Sequence, residues 1–286
     1  MRRVPAAEAR AYAGAWLDVR EPEAFAAGHA AGSGHLERAQ FHERRAELPP
    51  RDRPLLVVAD EPLAAAAAAA ELEDMGYVEV GWLEVPLARL PGGLDDHAPP
   101  VRLWRPAPYL EQALARIAAQ GGAPHGGLAA DLAAGSGREA VCLALAGYEV
   151  EAWDAAPEAL ARANLLARHS GVRVRAVMAD LERLDGGLPE ARYQMIAVFR
   201  FLHRPLFPLI ERALAPGGWL VYETYRAGQE RFGRPKSRRF LLDPGELERA
   251  FPTLEVIEAS EPGPPEGPIT AQLLARRPAT SARVGP

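Results

Sequence analysis

Short apolar runs alternate with longer segments of helical period along most of the chain. In the first third, WLDVR (16–20) predicts a strand and PEAFAAG (22–28) a helix. PLLVVAD (54–60) is a continuous apolar run, as expected of a buried strand. LAAAAAAAELEDMG (63–76) predicts a helix ended by Gly76, and VEVGWLEV (78–85) another strand. The pattern then lapses over 91–108, PGGLDDHAPPVRLWRPAP, where Pro and Gly crowd and no period survives. That lapse separates a first unit, 1–95, from a second, 106–278.

The rhythm resumes with YLEQALARIAAQGG, a helix with Leu110, Leu114 and Ile117 on one face. An apolar run ending in Asp131 follows, then the small-residue turn AAGSG at 133–137, an amphipathic helix, and a second apolar strand closing on Asp154. EALARANLLARHSG (158–171) predicts a crossover helix, VRVRAVMAD (172–180) a strand ending in Asp180, and YQMIAVFRFL (193–202) a fourth strand. PLFPLIERALAPGG (205–218) reads as a helix closed by Pro216-Gly217-Gly218, and WLVYETY (219–225) as a fifth strand. LLDPGELERAF (241–251) predicts a helix with Asp243 as N-cap, Pro244 at N1 and Glu246 at N3. LEVIEASE and ITAQLLARR form a closing strand pair joined by EPGPPEGP, and 280–286 should fray. The whole is an α/β chain: a small α/β unit, then a doubly wound, Rossmann-like unit with a mostly parallel sheet and an antiparallel C-terminal strand.

In such a sheet a ligand sits beyond the carboxyl ends of the strands. Here those ends carry Asp131, Asp154, Asp180, Arg200 and Glu223, so the chemistry is expected along one edge. Gly135 and Gly137 allow a sharp turn and close backbone approach, and the next helix presents its amides. Asp154 can accept from both hydroxyls of a ribose. Glu223 and Tyr225, two apart, share one face of their strand.

Composition narrows the class. The chain has 286 residues, 48% of them apolar, enough for two cores. Its one cysteine, Cys142, excludes an internal disulfide and falls inside a predicted helix. The N-terminus lacks the apolar stretch of a signal peptide, and no run of about 18 apolar residues occurs, so a cytoplasmic protein without a membrane span is expected. No metal-ligand spacing is present. Residues 1–100 hold 10 Arg against 17 acidic residues, whereas Arg226, Arg231, Arg234, Lys236, Arg238 and Arg239 cluster in the second unit. The first unit could pack on that cluster within one chain or across a homodimer.

DLAAGSGR at 131–138 followed by ALAGYEVEAWD at 144–154 resembles motif I of the class I S-adenosylmethionine-dependent methyltransferases, the tellurite-resistance type above all. Ala133 replaces that family's first glycine, and alanine fits there if its φ stays negative. The resemblance implies S-adenosylmethionine as cofactor. Asp131, Ala133, Gly135 and Gly137 would meet its methionine part, and Asp154, with Ala155, its ribose. Asp180 and Leu181 would meet the adenine, and Phe199 and Arg200 would lie near the sulfonium. On the acceptor side it points to Arg200, His203, Glu223 and Tyr225, with Arg204 also facing the acceptor. FRFLHRP at 199–205 replaces the N/D-P-P-Y/F motif of amide-nitrogen methyltransferases acting on nucleic acids, which argues against adenine or glutamine-amide methylation. RAGQERFGRPKSRRFLL (226–242) resembles a stretch of some small bacterial methyltransferases, and its glycines, proline and aromatic residues suit a lid over the acceptor pocket. A small-molecule acceptor is the first reading. An RNA held by the basic 226–239 segment and a non-catalytic scaffold are the alternatives.

DVREPEAF at 18–25, Gly28-His29 and Met75-Gly76-Tyr77 resemble a rhodanese domain. That chemistry needs a cysteine after the central strand, where this chain reads Val58-Ala59-Asp60-Glu61-Pro62. The first unit is therefore expected to be a catalytically silent packing or interaction module, with Asp60 and His29 as the residues for any other activity.

Overall fold

A computed structural model describes residues 1–95, 97, 99–121, 126–184, 186–263 and 268–279. The segment 280–286 and residues 264–267 of the 261–268 connection, both read from the sequence as loop, lie outside the described residues. The chain divides into two compact units, Met1–Arg105 and Pro106–Pro286. The stretch 99–105 counts with the first: the Val101 amide donates to the Ser33 carbonyl at 3.0 Å, and Leu103 and Trp104 are buried.

The first unit is a five-stranded sheet in the order β1-β5-β4-β2-β3, parallel throughout. Its strands are β1 (Arg2–Val4), β2 (Ala15–Asp18), β3 (Ser33–His35), β4 (Leu55–Val58) and β5 (Val80–Leu83). Helices α1 (Ala6–Ala9), α2 (Pro22–Ala26) and α3 (Pro62–Asp74) connect them. Every residue of β4 is buried, as its apolar run predicts for a central parallel strand. The small faces of Ala65, Ala68 and Ala69 let α3 pack closely on the sheet.

The second unit opens with α4 (Pro108–Ala119) and runs β6 (Leu128–Leu132), α5 (Arg138–Leu145), β7 (Glu149–Asp154), α6 (Pro157–His169), β8 (Val174–Met178) and β9 (Tyr193–Phe199). It continues through α7 (Phe207–Ala213), β10 (Leu214–Tyr225), α8 (Glu246–Arg249), β11 (Glu255–Ser260) and β12 (Thr270–Arg276). The sheet order is β11-β12-β10-β9-β6-β7-β8, with β12 antiparallel to both neighbours and the remaining pairs parallel. From β6 the chain winds outward through β7 and β8, then returns to the other side of β6 with β9. The crevice between β6 and β9 is the switch point of a doubly wound sheet, where ligands bind.

Alternation along the strands divides the core. Leu220 and Tyr222 join Ile210 of α7 and Leu247 of α8 on one face, while Trp219 and Val221 join Tyr109 and Leu110 of α4 on the other. Glu223 continues the second row. No helix among the described residues is long and apolar enough to cross a membrane.

Three expectations change. The 205–218 helix ends at Ala213, because Leu214 already pairs with Tyr193, and the Pro216-Gly217-Gly218 turn becomes a register irregularity inside β10. The 241–251 helix shrinks to α8, with left-handed Gly245 as N-cap in place of Asp243. The Glu246 carboxylate accepts from the Asp243 amide at 2.7 Å, but the Asp243 carboxylate meets Arg238 at 3.5 Å and caps no amide among the described residues. Finally, β8 stops at Met178, leaving Asp180 two residues beyond the sheet.

Candidate active site

Asp131 is the next-to-last paired residue of β6 and shares the face of Ala129, which packs against α4 and α5. It is 1% exposed, and its Oδ2 has no hydrogen-bond partner among the described residues. Burial, and next the carboxylate of Glu139 in the first turn of α5, push its pKa well above the usual carboxylate range. Glu139 is raised mainly by burial and accepts the Ala107 amide at 2.9 Å, which fixes the start of α4. A buried acid with an unused oxygen beside a backbone turn is suited to an ammonium group.

The turn itself is left-handed at three places: Ala133 (φ 62°), Gly135 (φ 53°) and Gly137 (φ 79°). The condition under which alanine fits at 133 is therefore not met; its Cβ is held in a region that disfavours side chains. The two glycines do different work. A Cβ on Gly135 would meet nothing within 4 Å, so this position opens onto free space. A Cβ on Gly137 would stand 2.4 Å from the Ala163 Cβ, so this glycine lets α5 approach α6.

Asp154, at the end of β7, accepts the Gly135 amide at 2.8 Å and the Ala156 amide at 2.9 Å. Its carboxylate is thereby locked to the turn while each oxygen keeps a lone pair for hydroxyl donors. Ala155 is exposed beside it. Asp180 lies in an exposed loop and accepts the Glu182 amide at 2.9 Å, with Leu181 buried behind it.

At the carboxyl ends of β9 and β10 the picture is tighter. Phe199 is buried, and Arg200 follows in a left-handed conformation (φ 56°). The Arg200 guanidinium pairs with Glu223 at 2.8 Å and lies 4.8 Å over the ring of Tyr225. Glu223 also accepts from Gln272 Nε2 at 2.6 Å. Glu223 Oε1 meets Arg200 as an ion pair outside hydrogen-bond geometry, and the buried Tyr109 hydroxyl has no hydrogen bond among the described residues. Burial, with Glu258 and Glu223 adding to it, raises the Tyr109 pKa. Arg200 and Tyr225 line a cavity of about 330 Å³ together with Phe201, Arg234, Pro235 and Phe240. The 226–242 segment thus supplies one wall, through Arg234, Pro235 and Phe240.

His203 and Arg204 are not among that cavity's lining. His203 begins the short turn Arg204–Leu206 and accepts the Leu206 amide on its carbonyl. The Arg204 guanidinium is engaged within the fold: it clamps Glu246 at 2.5 Å and donates to the Arg239 and Leu241 carbonyls at 3.1 and 3.0 Å. It anchors the end of the basic segment. The sequence reading missed Glu139, Tyr109 and Gln272. An acid in the first turn of a helix reads as ordinary dipole compensation, so Glu139 carried no distinct signal.

In the first unit, β4 ends at Val58 and the next loop holds Asp60, which is exposed. Arg20 is buried and bound twice to Asp18, to the Gly28 carbonyl at 2.7 Å, and to Asp60 at 3.4 Å. The Asp60 carboxylate thus meets an arginine already committed to the fold. His29 stacks on Phe25 at 4.0 Å, with Nδ1 3.2 Å from the Phe25 carbonyl, in a turn-holding role.

Comparison with known proteins agrees with both architectures. Residues 6–85 match the family model of the rhodanese-like domain and 129–218 that of a methyltransferase domain. The thiosulfate sulfurtransferase GlpE of Ectopseudomonas mendocina (strain ymp) is 36% identical over 81 residues, 28% of this chain and 72% of that protein. Among solved structures, TehB from Haemophilus influenzae is 18% identical with a TM-score of 0.47, over 58% of this chain and 62% of that one, less than two thirds of its length. The N-methyltransferase NodS from Bradyrhizobium japonicum WM9 is 16% identical with a TM-score of 0.46, over 60% of this chain and 98% of that one. The chain belongs, in its first unit, to the rhodanese-like family, and it carries a methyltransferase domain in its second.

Proposed function

We propose that the second unit moves a methyl group from S-adenosylmethionine to a small molecule held in the cavity between Arg200 and the 226–242 segment. The observation that carries the reading is the unused buried oxygen of Asp131 beside the open turn at Gly135. The donor set fits the cofactor: Asp131 for the ammonium, the turn at Gly135 for the methionine backbone, Asp154 for the ribose diol, Asp180 and Leu181 for the adenine. When bound, the cofactor supplies a methyl carbon on a positively charged sulfur, which a nucleophile displaces as the bonding pair returns to sulfur. What the protein contributes is alignment and exclusion of water, worth up to about 7–11 kcal/mol of barrier for well-oriented groups. Phe199 and Arg200 border the reacting edge, Glu223 holds Arg200, and Tyr225 faces the acceptor. His203 is left without a direct part.

The RNA reading has less support. Of the basic segment, Arg226, Arg238 and Arg239 pair with Glu261, Asp243 and Glu182, and Lys236 donates to the Glu230 carbonyl. Three of the six cations are thereby answered by carboxylates within the fold, which halves the charge left for phosphates. Calorimetric titration of S-adenosylmethionine, S-adenosylhomocysteine and NAD into the full chain tests the proposal. Binding of the first two, lost in Asp154→Ala, is expected. Binding of NAD alone, or of none, overturns it.

A further inference from the structure

We propose that the acceptor is a planar aromatic compound bearing one negative charge, an inference that rests on the methyl-transfer reading above. The cavity of about 330 Å³ is walled by Phe201, Tyr225, Phe240 and Pro235, flat apolar surfaces suited to a ring. Its volume lies at the low end of small-molecule pockets, which suits a one- or two-ring compound. The charges at its rim do not balance. Arg200 is answered by Glu223 at 2.8 Å, and Glu182, which also lines the cavity, is answered by Arg239 at 3.2 Å. Arg234 lines the same cavity, and its guanidinium has no partner among the described residues; only its carbonyl is engaged, by Gln229 Nε2 at 3.3 Å. One cation is left over, exposed beside the aromatic walls. A cationic ring would face Arg234 and Arg200 with both carboxylates already taken, whereas a carboxylate or phenolate would complete Arg234 by a charge-assisted bond. An aliphatic anion would satisfy Arg234 and leave the ring surfaces unfilled.

The test uses the full chain saturated with S-adenosylhomocysteine and three probes matched in size: 4-hydroxybenzoate, its neutral methyl ester, and tyramine. Binding is read by saturation-transfer NMR and calorimetry. The anion is expected to bind at least about tenfold tighter than either neutral or cationic analogue. Arg234→Gln is expected to erase that preference, the loss of one hydrogen bond to a charged group being worth about tenfold. Phe240→Ala should weaken all three probes together. Equal binding of the three, or an anion preference unchanged in Arg234→Gln, overturns the proposal. So does tight binding of a single-stranded RNA oligomer that the benzoate cannot displace. S-adenosylhomocysteine titrated alone reads the cofactor site separately: its failure to bind would sink the methyl-transfer reading, while the probes, repeated without it, still report on the cavity.

Discussion

Arg200 and Glu223 are joined twice, through their side chains at 2.8 Å and through the Arg200 amide on the Glu223 carbonyl at 2.9 Å. The double link spans the carboxyl ends of β9 and β10 and holds Arg200 at a positive φ that a non-glycine residue adopts only under constraint. It also orients the guanidinium over Tyr225, so one ion pair sets the shape of the cavity floor.

Removing the arginine strands a carboxylate that is 5% exposed, whereas Arg200 itself is 37% exposed. A fully buried pair broken on one side costs about 3–5 kcal/mol. Solvent on the arginine side reduces that to about 1–2 kcal/mol here. Arg200→Met is therefore expected to lower the melting temperature of the second unit by about 2–8 °C. Glu223→Gln, which leaves an exposed cation and no buried charge, should cost less. Scanning calorimetry of both variants checks the order, and a larger loss for Glu223→Gln would contradict it.

Asp131 and Glu139 give the site a pH dependence with a definite sign. Burial raises both above their unfolded values, so the folded chain keeps a proton that the unfolded chain has lost. Their contribution to stability is present below the ordinary carboxylate range and falls as pH climbs through the raised values. A ligand ammonium favours ionised Asp131, so binding should expel a proton within that window. Calorimetry of S-adenosylhomocysteine at about pH 5, just above the ordinary range, in two buffers of different ionisation heat, is expected to show proton release. Asp131→Asn should abolish it. Release that persists in Asp131→Asn would assign the proton elsewhere.

The strand–turn–helix–strand run from Asp131 to Asp154 was legible because every part of it is local in sequence. So were the long helices, whose apolar faces repeat over several turns. What escaped notice is fixed by distant partners. Strands β1 and β3 have three residues each, too few for a period, and exist through their register with β5 and β2. The cap expected at Asp243 is absent because its own carboxylate meets Arg238 at 3.5 Å and takes no amide among the described residues, and the helix begins instead at left-handed Gly245. Leu214 reads as helix from its neighbours alone, because its pairing with Tyr193 is not local.

Ala133 carries a cost that can be weighed. An alanine at φ 62° is strained by about 1–2 kcal/mol relative to a right-handed conformation. Glycine would remove the strain but add about 0.5–1 kcal/mol of unfolded-chain entropy. The difference favours glycine by about 0–1.5 kcal/mol, so Ala133→Gly should raise the melting temperature by no more than about 6 °C. Ala133→Val, branched at Cβ, should fall clearly below the wild type. Paired thermal melts decide this, and a valine variant as stable as the wild type would mean that the turn is not left-handed at this position.

The two turn glycines should separate binding from folding. At Gly137 a methyl group would overlap the Ala163 side chain at 2.4 Å and its Cα at 2.8 Å, forcing α5 and α6 apart. Overpacking of that kind costs about 1–3 kcal/mol, and the positive φ adds to it. Gly137→Ala is thus expected to melt earlier by about 4 °C or more. At Gly135 the added methyl meets no protein atom within 4 Å, so only the backbone term remains. That methyl instead occupies the space over the turn, next to the amide that Asp154 holds at 2.8 Å. Gly135→Ala should therefore lose S-adenosylhomocysteine binding by more than its small melting shift explains. Gly137→Ala should bind in proportion to the fraction still folded. Titration and melting of both variants at one temperature give the comparison, and the opposite pattern would move the ligand from Gly135 to the helix interface.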